Sequence, residues 1–77
     1  MSFSYDKLKG KIKEKFGTQA AFAYKLGISR TSLNLKLNNL SEFTQKEIAD
    51  SMLLLALPGT KVDEYFFTVK VQKTEQN

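Results

Sequence analysis

A chain of 77 residues has room for one small hydrophobic core, and with 42% hydrophobic and 26% charged residues it has the composition of a folded domain. It contains no Cys and no His, which excludes a disulfide framework, a thiolate metal site and an imidazole base. The net charge of +4 is unevenly placed: residues 1–40 carry eight Lys/Arg against two Asp/Glu, and residues 41–77 carry four against six. The basic half is what a polyanion-binding surface looks like, and also what a lysine-rich solvated surface looks like.

The longest apolar run, Met52 to Leu57, is six residues, far short of a membrane span, and the N-terminus lacks a signal-peptide core. A cytoplasmic protein with no membrane partner is therefore expected. Residues 5–16 place Tyr5, Leu8, Ile12 and Phe16 at helical spacing with lysines between them. Ser4 is the expected cap and Gly17 the stop, while Gly10 weakens the interior. Five lysines (Lys7, Lys9, Lys11, Lys13 and Lys15) decorate this helix and read chiefly as solubility.

Thr18 is expected to cap a second helix, Gln19 to Leu26, which offers Phe22, Ala23 and Leu26 to a core and ends at Gly27. Ser29 caps a third helix running to about Leu37, with Leu33 and Leu37 as its apolar pair. Asn38 and Asn39 tolerate left-handed backbone and supply the exit. A capping box of Thr44 and Glu47, with Phe43 and Ile48 at the staple positions, predicts a fourth helix over about 45–57. That helix is apolar on more than one face and is expected to be the most buried element.

Pro58-Gly59 ends it, and Thr60 with Asp63 predicts one more short helical turn over about 61–66. Beyond it the residues alternate with period two, so 68–77 reads as an extended or β tail with a frayed end. Phe66 or Phe67 is expected to finish the core between helices one and four. Val69 and Val71 offer an edge for self-pairing into a homodimer. The fold class is thus all-α: a compact five-helix domain over 1–67 with a short extended C-terminal tail.

Two short helices joined by a glycine turn form a helix-turn-helix arrangement. Residues 18–39 resemble the motif of phage Cro- and CI-type repressors, the lambda-repressor-like class. Gln19 opens the motif, and Ala23, Gly27 and Leu33 stand at its fifth, ninth and fifteenth positions. The likeness extends to the five helices and the closing VDEYFF. The chain also resembles short Cro-like regulators of temperate phages of Gram-positive bacteria, some of which are modulators of repression that bind the phage's own repressor. Lys36 departs from the pattern, because the family carries an apolar residue at that eighteenth position. Leu37 is expected to take over the packing.

The resemblance implies roles for particular residues. Gln19, at a helix N-terminus, would bond a phosphate. Ser29, Arg30, Thr31 and Asn34 would face the groove, Arg30 as a bidentate guanine reader and Asn34 as an adenine reader. Lys25, Lys36 and Asn38 would contact phosphates. Leu35 lies about 200° around the helix from both Leu33 and Leu37, so it is expected outside the core, against a thymine methyl or in a protein interface.

No enzyme is expected, since there is no His base, no Cys nucleophile and no carboxylate pair beside a glycine-rich phosphate loop. No metal or cofactor is expected either. The leading expectation is a Cro-like regulator of a phage genetic switch that binds double-stranded operator DNA. The alternative is an antirepressor that binds the cognate phage repressor protein through the same surface.

Overall fold

The first helix of the computed structural model, which describes residues 2–70, is amphipathic as its spacing predicts: Leu8 and Ile12 are fully buried while the lysines face outward. This helix, α1 (Asp6–Phe16), starts one step later than a Ser4 cap would place it. Tyr5 occupies the N-cap position with no side-chain capping bond, and Ser4 before it donates its N–H to Thr68 O at 2.7 Å. Gly17, at φ +81, closes α1 as expected.

Helix α2 (Gln19–Leu26) is capped by Thr18, whose Oγ1 accepts from Ala21 N at 3.1 Å. Gly27 ends it at φ +86, a left-handed conformation that costs a residue with Cβ. Helix α3 (Arg30–Leu37) follows, capped by Ser29 Oγ on Ser32 N at 3.0 Å. Helix α4 (Gln45–Leu54) carries the complete capping box: Thr44 Oγ1 accepts from Glu47 N at 3.0 Å, and Glu47 Oε1 accepts from Thr44 N at 2.9 Å. A 3₁₀ turn (Gly59–Lys61) leads into α5 (Val62–Phe66). The expected Thr60 cap is not made; Pro58 stands at the N-cap of the 3₁₀ turn, and no side chain caps either segment.

Two expectations for α4 are corrected. It ends three residues early, because Ala56 turns left-handed at φ +56 and lets Leu57 N reach back to Met52 O at 2.9 Å. Nor is it the most buried element: Ser51, Met52 and the following Leu55 face inward, while Ala49 and Leu53 face solvent. Its inward side packs on α2 and α5.

The core joins Leu8 and Ile12 of α1, Phe22 and Ala23 of α2, Leu33 and Leu37 of α3, Met52 and Leu55, and Phe66 of α5. Helix α1 packs on α2 and α5, and α2 packs on α3 and α4. The small, wholly buried Ala23 sits in the helix between α1 and α3, consistent with close approach there. Phe66 closes the gap near α1 and α4, with ring contacts to Tyr5 and Phe43 at 6.5 and 5.2 Å between centroids.

The chain is all-α, with no sheet among the described residues. The only extended pairing among them is a single antiparallel bridge, Phe3 to Val69. Residues 68–70 therefore pair with the chain's own beginning, and Lys70 N completes the bridge by donating to Ser2 O at 2.9 Å. Val71, expected to share a pairing edge, lies outside the described residues. No helix of the described residues is long and apolar enough to cross a membrane.

Candidate functional site

Helix α3 is anchored by Leu33 and Leu37, so its opposite flank is presented to solvent. Arg30, Thr31 and Asn34 line one shallow open depression on that flank. Arg30 has no ion-pair partner among the described residues. Ser29 is exposed at the helix start with its hydroxyl engaged in the cap. Leu35 is 40% exposed, outside the core as its angular position requires.

Two residues expected at the surface contact behave differently. Lys36 is 7% exposed: its ammonium turns inward, donating to Glu42 O at 3.0 Å and pairing with the Glu47 carboxylate at 3.2 Å. The expectation of a phosphate contact at Lys36 is therefore corrected, for a buried ammonium already paired with a carboxylate has no free face for a phosphate. Both Lys36 and Leu37 pack inward, so the amphipathic Lys36 stem adds to the inward face of α3. Asn38 remains exposed, but its Nδ2 folds back onto Asn34 O at 2.9 Å and Asn34 Oδ1 at 3.3 Å. It closes the C-terminus of α3.

Glu47 joins this packing to α4. Its partial burial pushes its carboxyl up, but the Thr44 N–H and the Lys36 ammonium outweigh that, and the net position lies below the ordinary carboxylate value. One carboxylate thus caps α4 and pins α3.

Gln19 is half-buried at the start of α2 and lines a separate depression with Lys9 and Lys13 of α1. It does not share the depression of Arg30, Thr31 and Asn34. Lys25 is exposed in the last turn of α2, with no ion pair among the described residues.

At the end of α3 the left-handed exit falls at Asn39, one of the two asparagines expected there, while the placing of Leu40 and the bonds of the Asn39 side chain escaped the sequence reading. Asn39 is left-handed at φ +62, and the backbone closes with Asn39 N on Lys36 O at 3.2 Å and Leu40 N on Leu35 O at 2.9 Å. This is the Schellman pattern, in which the residue after the left-handed position lies against the one that began the last turn. It ties the Leu40 backbone to Leu35 and leaves both leucines exposed, Leu40 at 74%, at the edge of the polar flank. The signal for it was the Asn at the helix exit followed by an apolar residue. The Asn39 side chain meanwhile clamps the N-terminal segment, Oδ1 accepting from Phe3 N and Nδ2 donating to Phe3 O, both at 2.9 Å.

These features define a small all-α domain that displays one short polar helix with an apolar margin. The chain belongs to the family described as "protein of unknown function (DUF739)", whose profile matches residues 1–69. It is similar in structure to the modulator of repression (MOR) of the temperate bacteriophage TP901-1 from Lactococcus lactis, solved in solution. That likeness has a TM-score of 0.77 and 40% sequence identity, over 94% of this chain and 97% of that one. A search of curated proteins gives no match.

Proposed function

We propose that this chain is a modulator of repression in a phage genetic switch, acting on the phage's repressor protein through the exposed flank of its helix-turn-helix. The observation that carries this reading is the near full-length likeness, at 40% identity, to the modulator of repression of phage TP901-1. The composition of the flank supports it. With Lys36 and Asn38 engaged internally, Arg30 is the one cation left on α3, flanked by Thr31, Asn34 and Leu35. A surface of few charges with two exposed leucines at its edge suits a protein partner better than a polyphosphate one. The protein works by binding, without catalysis, in the cytoplasm of the phage's host.

The test is titration of the purified chain with the cognate phage repressor. Leu35→Ala and Leu40→Ala together are expected to weaken the complex about 30-fold, from the loss of two partly exposed leucine contacts. Retention of full affinity by the double variant would remove the α3 flank from the interface. No complex at all would refute the reading.

Operator DNA remains the second reading, in the manner of Cro. It is favoured by the second depression, where Gln19 stands beside Lys9 and Lys13, neither of which has an ion-pair partner among the described residues. In that reading Arg30 and Asn34 would read bases from the α3 flank, with Gln19 and Lys25 on phosphates. Binding to a specific operator in the absence of repressor, weakening steeply with salt, would favour it.

A further inference from the structure

On the other side of the α3 exit lies a cleft of about 290 Å³ that no role above uses. A water takes up about 30 Å³ and drug-sized pockets begin near 300 Å³, so this cleft suits a single side chain. Its walls are aromatic: Phe3, Tyr5, Phe43 and Phe67 line it. Their rings stand in edge contacts, Phe3 to Phe67 at 5.9 Å and Tyr5 to Phe43 at 5.4 Å. Phe67 is exposed, and Phe3 and Phe43 are half-buried, so ring surface remains open.

The polar rim has one character. Glu42 is exposed, and its carboxylate has no ion-pair partner among the described residues. Ser41 and the Tyr5 hydroxyl make no side-chain hydrogen bond among them either. The Glu42 charge reaches Tyr5: burial pushes its phenol up, and the carboxylate pushes it further. The side-chain amide at the rim, Asn39, gives one N–H to Phe3 O and accepts from Phe3 N through Oδ1, both at 2.9 Å. What faces the cleft is therefore one unpaired carboxylate, Glu42, with two hydroxyls that can accept beside it, above open aromatic rings. The nearby Lys36 ammonium lies behind the loop, neutralised by Glu47.

We propose that this cleft is a socket for the arginine side chain of a partner polypeptide. A guanidinium brings several N–H donors and no acceptor, which matches a carboxylate beside hydroxyls that can accept. Its flat, weakly hydrated face stacks on aromatic rings, whereas an ammonium keeps its water more tightly. A neutral apolar side chain would fill the walls but leave the Glu42 carboxylate without a partner. The socket is independent of whether the α3 flank meets a repressor or an operator.

The experiment is a nuclear magnetic resonance titration of the isotope-labelled full chain with a blocked arginine, N-acetyl-arginine methylamide, and with its neutral citrulline counterpart. Saturable shifts are expected at the Phe3, Phe43 and Phe67 rings and the Glu42 amide, with citrulline binding about tenfold more weakly. Glu42→Gln, a change at an exposed position that leaves the core untouched, is expected to weaken arginine by about tenfold. Tyr5→Phe keeps the ring and tests the hydroxyl, with a smaller loss expected. Equal binding of arginine and citrulline, shifts confined to other acidic residues such as Glu14 or Asp50, or no shift at these residues would each overturn the proposal.

Discussion

Three positions separate backbone conformation from packing. Gly10 lies mid-helix in α1 with nothing within 4 Å of where a Cβ would stand. Gly10→Ala is therefore expected to raise stability by about 1 kcal/mol, read from the midpoint of urea denaturation. Gly27 has equally free surroundings but a φ of +86, so Gly27→Ala is expected to lower stability by about 1 kcal/mol. Ala56 is the mirror case, a residue with Cβ held at φ +56 in the turn after α4. Ala56→Gly relieves that conformation at the cost of a freer unfolded chain, for a net gain of about 0.5 kcal/mol. If all three variants moved stability in the same direction, backbone conformation would not be what distinguishes them. The glycines could be read from their places at helix ends, but Ala56 could not, since nothing in its residue type prefers the left-handed region.

At the level of elements, the helix starts were legible where the cap is local. Thr18, Ser29 and the Thr44–Glu47 box each act within three residues, and each is made as the sequence implies. What failed depends on distant partners. Ser4 stands one residue before the N-cap, in the bridge that binds its N–H to Thr68 O, and Lys36 turns inward because Glu47, eleven residues on in the chain, is there to receive it. The candidate site was legible to the same extent. Leu35 is exposed because of angular spacing alone, whereas the fate of Lys36 and the placing of Leu40 needed the tertiary packing and the turn geometry. The Lys36–Glu47 link also makes stability depend on pH. Glu47 titrates below its ordinary value of 4.5 in the folded chain, so its contribution is fully present above that value and is lost as pH falls through the lower folded one. Denaturation midpoints measured downward from about pH 5 are expected to show this loss, and Glu47→Gln is expected to flatten the slope in that window. An unchanged slope in Glu47→Gln would assign the acid sensitivity to other carboxylates.

For the whole molecule, the question is how so few residues hold α3 still enough to present a surface. A domain of this size has a net stability of roughly 4–10 kcal/mol, so one large buried ring is a large share of it. Phe66 is such a ring, and it comes from the last short helix, almost fully buried against Tyr5 and Phe43. Phe66→Ala is expected to cost about 3–5 kcal/mol and to leave the folded state marginal, with a melting temperature lowered by well over 10 °C by circular dichroism. Because α3 reaches the rest of the fold through α2 and the Lys36–Glu47 link, its exposed flank would lose definition only when the core as a whole gives way. Leu35→Ala and Leu40→Ala, which act on exposed side chains, are expected to leave the melting temperature within about 3 °C. The two classes of variant thus separate loss of fold from loss of surface. If Phe66→Ala melted like the parent chain, α5 would be an appendage and the core would close without it.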